Sequence, residues 1–229
     1  MPKLKDKNLV QDVHQAVLKK IVTLEIEPGG IINEKSLLEE LGVSRTPLRM
    51  ALTMLRQENL IGGEPNKSSF ARDLSLNEFR ELVESLIIIE KNTHCLAAER
   101  MTSEELSAIE EAGAAVEKAI ADHDFWALTR ENFTFHELIS RACRNDILHR
   151  FHQTLRTRAE RYSYLAVSKD IGDGGRSVME HNSLISKQHR ELILALRKRD
   201  VDRVEAVSIK HVNLFKQRVF LFFNRISYR

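Results

Sequence analysis

The sequence predicts a mostly α protein in two parts: a small, turn-rich N-terminal domain with one short β-hairpin, then an all-α helical bundle. Three observations carry this. The chain breakers are front-loaded: all four prolines lie at or before Pro65, and Pro28-Gly29-Gly30 and Gly62-Gly63 interrupt the same stretch. Past Pro65, only residues 170–175, with three glycines and two aspartates, read as a loop. Elsewhere in that part, apolar residues recur at helical spacing. The division is expected near residues 73–77, giving domains 1–74 and 75–229.

Each element has a local reason. Val10, Val13, Val17, Ile21 and Leu24 put a helix over 8–25. Asn33 caps a short helix that runs to Leu41 and ends at Gly42. Ser44 is placed to cap the next helix, to about residue 59, with Pro47 tolerated in its first turn. Two short strands, 60–64 and 69–72, flank Pro65-Asn66-Lys67-Ser68. Ser75 with Glu78, and Thr102 with Glu105, have the spacing of capping boxes. Six or seven helices should follow residue 75.

Composition narrows the class. Of 229 residues, 42% are hydrophobic and 30% charged, which describes a globular chain rather than a disordered one. The formal charge of only +2 means that any nucleic-acid affinity must be local. Cys95 and Cys143 lie in apolar helical stretches without metal spacing and read as reduced core thiols. Residues 1–7 lack an apolar leader core, and the apolar cluster 219–223 is too short to span a bilayer. A soluble cytoplasmic protein with no membrane partner is the expectation.

Residues 33–61 carry the first functional signal. A helix, a tight turn at Leu41-Gly42-Val43-Ser44 and a second helix form a helix-turn-helix, and the hairpin supplies a wing. The second helix opens with Ser44, Arg45, Thr46 and then Arg49. Arg45 and Arg49 are one turn apart on one face, where arginine suits bidentate contact to guanine. Ser44 and Thr46 can donate to phosphates. Leu48, Ala51, Leu52 and Leu55 would hold the opposite face to the domain. Residues 1–75 carry 11 basic and 10 acidic side chains, a net of +1, yet residues 42–57 hold three arginines and no acid. Lys67 and Ser68 at the hairpin tip could reach the minor groove or the backbone. A surface helix with scattered arginines is the competing reading of the charges alone.

The nine histidines carry the second signal. His136-Glu137 begins like a zincin motif, but Ser140 stands where its second histidine belongs, so the peptidase reading fails. His149 and His152, among Arg144, Arg150, Arg156 and Arg158, read as solvated helix surface. His14, His94, His123 and His181 have no partner at ligand spacing. Asn132 and His136 share a helix face, and with His189 and His211 could converge on one buried polar site of a bundle. By periodicity alone, hydrogen-bonded core or boundary histidines are the favoured reading of these residues.

The run Glu27-Pro28-Gly29, Asn33-Glu34, Leu41-Gly42-Val43-Ser44-Arg45-Thr46-Pro47-Leu48-Arg49, Ala51-Leu52 resembles the DNA-binding domain of the GntR superfamily over residues 8–72. Met50 stands where that family usually has glutamate, and Ser68 where it has a wing-tip glycine. Residues 76–222 resemble the FCD ligand-binding domain of the FadR subfamily, through Leu96-Ala97-Ala98-Glu99-Arg100, Phe135-His136, Asn145, His189 with Ala195-Leu196, and His211. The resemblance implies a homodimeric transcription regulator on double-stranded, near-palindromic operator DNA, not an enzyme, whose affinity responds to a small-molecule effector. It also implies a divalent metal held by Asn132, His136, His189 and His211. Asn132 stands where the family usually has aspartate, which should lower metal affinity, and the imidazole-rich set favours zinc or nickel. Leu86 occupies the position of an arginine that often meets a carboxylate effector, leaving Arg130, Arg141 and Arg161 as substitutes. The first helices of the second domain, or the tail 215–223, could supply the dimer interface. Lys210, Lys216, Arg218, Arg225 and Arg229, with no acid after Glu205, read as a solvated basic face. A metal-dependent hydrolase using the histidines and a regulator sensing metal alone are the rival readings.

Overall fold

The computed structural model describes residues 9–63, 68–168 and 175–227, with side chains as far as Asn224. Lys67 and most of the expected 170–175 loop lie outside these residues. The chain divides into two compact units, Met1–Ser75 and Leu76–Arg229.

The first unit contains α1 (Leu9–Val22), α2 (Glu34–Leu41), α3 (Arg45–Gln57), β1 (Ile61–Gly62) and β2 (Phe70–Ala71). α1 buries Val13, Val17, Leu18, Ile21 and Val22, and α3 turns Leu48, Ala51, Leu52 and Leu55 inward to meet it. α1 stops short of the expected residue 25, because Leu24 adopts a left-handed φ of 62°. His14 bridges from α1 to Glu58, with its Nε2 2.9 and 3.0 Å from the two carboxylate oxygens.

α2 is capped as its sequence demands. The Asn33 side chain accepts from the Ser36 amide at 3.1 Å, and Gly42 ends the helix at φ 64°. A Cβ at Gly42 would meet nothing within 4 Å. Gly42→Ala therefore tests conformation alone. It is expected to cost about 1–2 kcal/mol of stability in urea unfolding, with the slope against denaturant unchanged.

Ser44 departs from expectation. It holds the extended N-cap backbone of α3, yet its side chain makes no capping bond. Pro47 contributes to this: it occupies the third helical position and has no N–H, which removes one of the two amides a cap can use.

β1 and β2 pair antiparallel, Ile61 with Ala71 and Gly62 with Phe70, and are shorter than the predicted strands. The Phe70 ring lies so close over Gly62 that a Cβ there would fall 2.3 Å from Cζ. Arg56 pins this hairpin to α3, donating from Nε to the Gly63 carbonyl and from Nη2 to Ser69 Oγ, both at 3.0 Å. One of the three arginines in the 42–57 stretch is thus structural.

The second unit has six helices among the described residues: α4 (Leu76–Arg100), α5 (Ser103–Ala121), α6 (Phe125–Ala142), α7 (Asp146–Ser168), α8 (Arg176–Arg197) and α9 (Val201–Ser227). The Thr102–Glu105 capping box opens α5 with both reciprocal bonds. Ile109, Val116, Phe135, Ile139, Leu192, Leu196 and Val204 form the core where α5, α6, α8 and α9 meet. α4 lies against α6, α7, α8 and α9, so any polar residue on its inner face is enclosed by the bundle.

One expectation about the C-terminal helix, that of a wholly solvated basic face, is corrected. Phe215 and Phe220 set their rings edge-on to Phe79, at 5.4 and 5.6 Å, and Phe79 also meets Tyr162 at 5.0 Å. These rings pack internally, while Leu221 of the same helix is 50% exposed. Arg218 is not on a solvated basic face. It is buried, donating from Nε and Nη2 to the Ala166 carbonyl and from Nη1 to Ser177 Oγ.

Candidate functional site

α3 presents Ser44, Arg45, Thr46 and Arg49 to solvent, while its apolar side is packed away. Met50 beside them is 53% exposed. Among the described residues no acid pairs with Arg45 or Arg49, so both guanidinium groups face outward with their donors available. Ser68 at the hairpin is also exposed.

In the second unit the histidines expected to converge do so. His136 on α6, His189 on α8 and His211 on α9 are buried and can each offer a nitrogen within 4.8 Å of the other two. His136 Nε2 and His211 Nε2 are 3.1 Å apart, and His211 Nδ1 meets Gln188 Oε1 at 3.1 Å. His189 stacks on Phe135 with ring centroids 4.1 Å apart, and neither of its ring nitrogens has a hydrogen-bond partner. Burial, reinforced by the nearby His211, holds His189 well below the ordinary histidine range. Burial pushes His211 down to about 3, against the pull of Glu90. Both imidazoles are neutral at pH 7, the form that binds metal. Asn132, one turn before His136, is half-buried with an unpartnered Oδ1. These orphaned lone pairs fit a soft or borderline divalent ion.

A second polar group adjoins the first, and the sequence did not disclose it. Glu90 and His94 from α4, and His152 and Arg156 from α7, are all buried. Glu90 Oε1 lies 3.1 Å from Arg156 Nε and 3.8 Å from His152 Nε2, and its Oε2 lies 3.8 Å from His136 Nδ1. Burial would raise the Glu90 carboxyl, but the Arg156 charge, with His152 and His94, outweighs it and holds the group well below the usual carboxylate range. His94 is pushed down to about 3 by burial, despite Glu90.

Several expectations change here. His152 is fully buried rather than solvated, because α7 turns this side toward α4. His94 has partners after all. Of the arginines suggested for an effector, Arg130 and Arg141 are exposed, Arg141 pairing with Glu137, while Arg161 is buried. Arg156 was not among them, yet it lines the pocket that also takes in Thr129, Asn132, Ser163, His181 and His211. A signal existed: Glu90 and His94, like His152 and Arg156, are four apart and in phase with buried neighbours on their helices. Charged residues inside an apolar stripe mark a buried network.

Comparison with known proteins decides the family. Residues 81–214 match the FCD domain and residues 9–70 match the bacterial regulatory proteins of the gntR family. The chain belongs to the GntR family of regulators that carry an FCD domain. This GntR-family chain is 39% identical over 88 residues to the Nta operon transcriptional regulator of Aminobacter aminovorans, a match spanning 38% of the chain and 42% of that relative. It is 24% identical over 213 residues, 91% of the chain and 88% of the relative, to the HTH-type transcriptional repressor RspR of Escherichia coli. Its fold is that of E. coli McbR/YncC, with a TM-score of 0.79 at 20% identity covering 95% and 98% of the two chains. A GntR regulator from Rhodococcus sp. RHA1 gives 0.70 at 16% identity, covering 92% and 97%. The protein is thus a DNA-binding transcription regulator with a ligand-binding FCD domain, and the hydrolase alternative finds no support. Among the described residues no helix is long and apolar enough to cross a membrane.

Proposed function

We propose that this GntR-family regulator acts in the cytoplasm as a homodimer, reading an inverted-repeat operator through α3 and responding to a small anionic effector in the FCD domain. The observation that carries the reading is the solvent face of α3. Arg45 and Arg49 stand one turn apart with unengaged guanidinium groups, flanked by the hydroxyls of Ser44 and Thr46. Arginines would meet base edges in the major groove, and the hydroxyls would meet phosphates. Lys67 and Ser68 would follow the backbone at the wing.

The effector site is the pocket beside the histidines. Its polar lining, Thr129, Asn132, Arg156, Ser163, His181 and His211, suits a small organic acid. Arg156 would supply the charge that the family's usual arginine supplies from the position of Leu86. Asn132, His136, His189 and His211 would hold zinc or nickel. A bound ion would supply a Lewis-acidic point for the effector's carboxylate, since Asn132 contributes no charge of its own. The effector changes operator affinity only by binding the DNA-competent and incompetent states unequally.

Enrichment of genomic fragments on the purified protein tests this. Recovery of a few fragments sharing an inverted repeat is expected, with short organic acids shifting their affinity. Uniform retention of all fragments would refute operator reading. Elemental analysis after zinc or nickel loading should find bound ion, reduced in His189→Ala. Protein that stays metal-free removes the ion from the proposal. If metal alone shifts operator affinity and no acid does, the protein senses metal.

A further inference from the structure

The solvent face of α3 carries one side chain that neither hydrogen bonding to bases nor contact with phosphates accounts for. The exposed residues along this helix are Arg45, Thr46, Arg49, Met50, Thr53 and Gln57. Positions 46, 49, 50, 53 and 57 follow helical spacing and form one stripe. Among the described residues of α3, Met50 is the one large apolar side chain in that stripe, and it is 53% exposed. The inner face of α3 is occupied by Pro47, Leu48, Ala51, Leu52 and Leu55, so Met50 takes no share of the domain core. Leaving a thioether in water forgoes the gain that burying it would bring.

The surroundings of Met50 define what it can meet. Arg45 and Arg49 lie before it on the same exposed face, and no acid occurs between Gly42 and Gln57. Thr53 donates its hydroxyl proton to the Arg49 carbonyl at 2.8 Å, so that proton is engaged within the helix. Met54, one turn after Met50, is half-buried. The middle of the face is therefore an apolar spot that adjoins two cations.

A thioether is at best a weak acceptor and donates nothing. It cannot read the N7, O6 or O4 acceptors of base edges, nor hold a phosphate. The major groove displays one apolar group, the C5-methyl of thymine, and apolar side chains contact it. Met50 is long and unbranched, with a polarizable sulfur that adapts to such a surface.

We propose that Met50 is a specificity-determining residue that reads a thymine through its C5-methyl group. This rests on α3 being the helix that reads the operator. Adjacent residues of a helix rise about 1.5 Å, against about 3.4 Å for a base-pair step. The thymine therefore belongs to a base pair next to the guanine that Arg49 meets, once in each half-site.

The experiment measures binding of the full-length chain to the recovered operator by fluorescence anisotropy. Each thymine of a half-site is replaced in turn by deoxyuridine, symmetrically in both half-sites. Deoxyuridine lacks only the methyl group and pairs as thymine does. At one position the wild type is expected to lose about fourfold per half-site, the worth of one buried methyl group, and so about 15-fold for the symmetric duplex. Met50→Ala should bind the unmodified operator more weakly by a similar factor and lose nothing further on that deoxyuridine duplex. Met50→Leu, which keeps an apolar side chain, should retain most of the penalty. Because Met50 is exposed, both variants should keep the wild-type melting temperature. Equal deoxyuridine penalties in wild type and Met50→Ala at every position would overturn the role of Met50, as would a wild type indifferent to every replacement. Arg49→Ala separates this from a failure of the helix itself. Unchanged affinity and base preference in Arg49→Ala would refute α3 as the reading helix. Weakened binding in Arg49→Ala, beside a Met50→Ala that keeps the full methyl penalty, would refute Met50 alone.

Discussion

Arg45→Ala is expected to weaken operator binding by about 10- to 100-fold, and Arg49→Ala by a similar factor, corresponding to about 1–3 kcal/mol for each lost bidentate base contact. Both side chains are exposed and take no part in the packing of α3, so neither change should move the melting temperature by more than a degree or two. The measurement is binding to the recovered operator and to a variant at the contacted base pair, at several salt concentrations. An arginine that reads a base should lose discrimination at one position when truncated. One that holds a phosphate should weaken all sequences alike and reduce the salt slope by about one. Arg56→Ala is the informative contrast. Its guanidinium holds the hairpin through Gly63 and Ser69, so its loss should appear first as lower stability, by about 1–3 kcal/mol.

Arg156→Met is expected to be among the most damaging single changes in the second unit, lowering stability by about 3–5 kcal/mol in the chelator-stripped protein. The guanidinium is 3.1 Å from Glu90, and both side chains are buried. Removing the cation leaves a carboxylate without compensation in the bundle interior. Glu90→Leu combined with Arg156→Met should recover most of that loss, because a well-packed apolar pair replaces a buried ion pair at little cost. Urea unfolding of the two singles and the double gives the coupling directly. Additive losses would mean that the two groups are not coupled. Operator binding by the double variant should persist, and any loss of its response to short acids would tie Arg156 to effector recognition.

Much of the first unit was legible because its determinants are local. The Asn33 cap, the left-handed Gly42 and the inward Leu48, Ala51, Leu52 and Leu55 each follow from residue type and spacing over one or two turns. Where local reasoning failed, a neighbour intervened. Pro47 removed one of the two amides Ser44 could have capped, and Leu24 took a left-handed turn that ended α1 early. The regular strands span only Ile61–Gly62 and Phe70–Ala71, although a further backbone bond from Arg72 to Leu60 carries the pairing one step past them.

In the second unit, helical periodicity identified the helices, and family resemblance brought Asn132, His136, His189 and His211 forward. It could not reveal Glu90, His94, His152 and Arg156 as neighbours of that set. These residues come from α4 and α7, and pairs such as Glu90 and Arg156 are 66 positions apart along the chain. What the sequence alone determined was the α character, the capped and broken boundaries, and the helix offering two arginines to solvent, since these depend on backbone preferences and a period of 3.6. Only the tertiary structure decided which polar side chains share one enclosed centre. That depends on how α4 is rotated against α6, α7 and α9, and a helix rotation that buries one face turns a nominally solvated histidine or arginine into a paired, charge-bearing part of the interior.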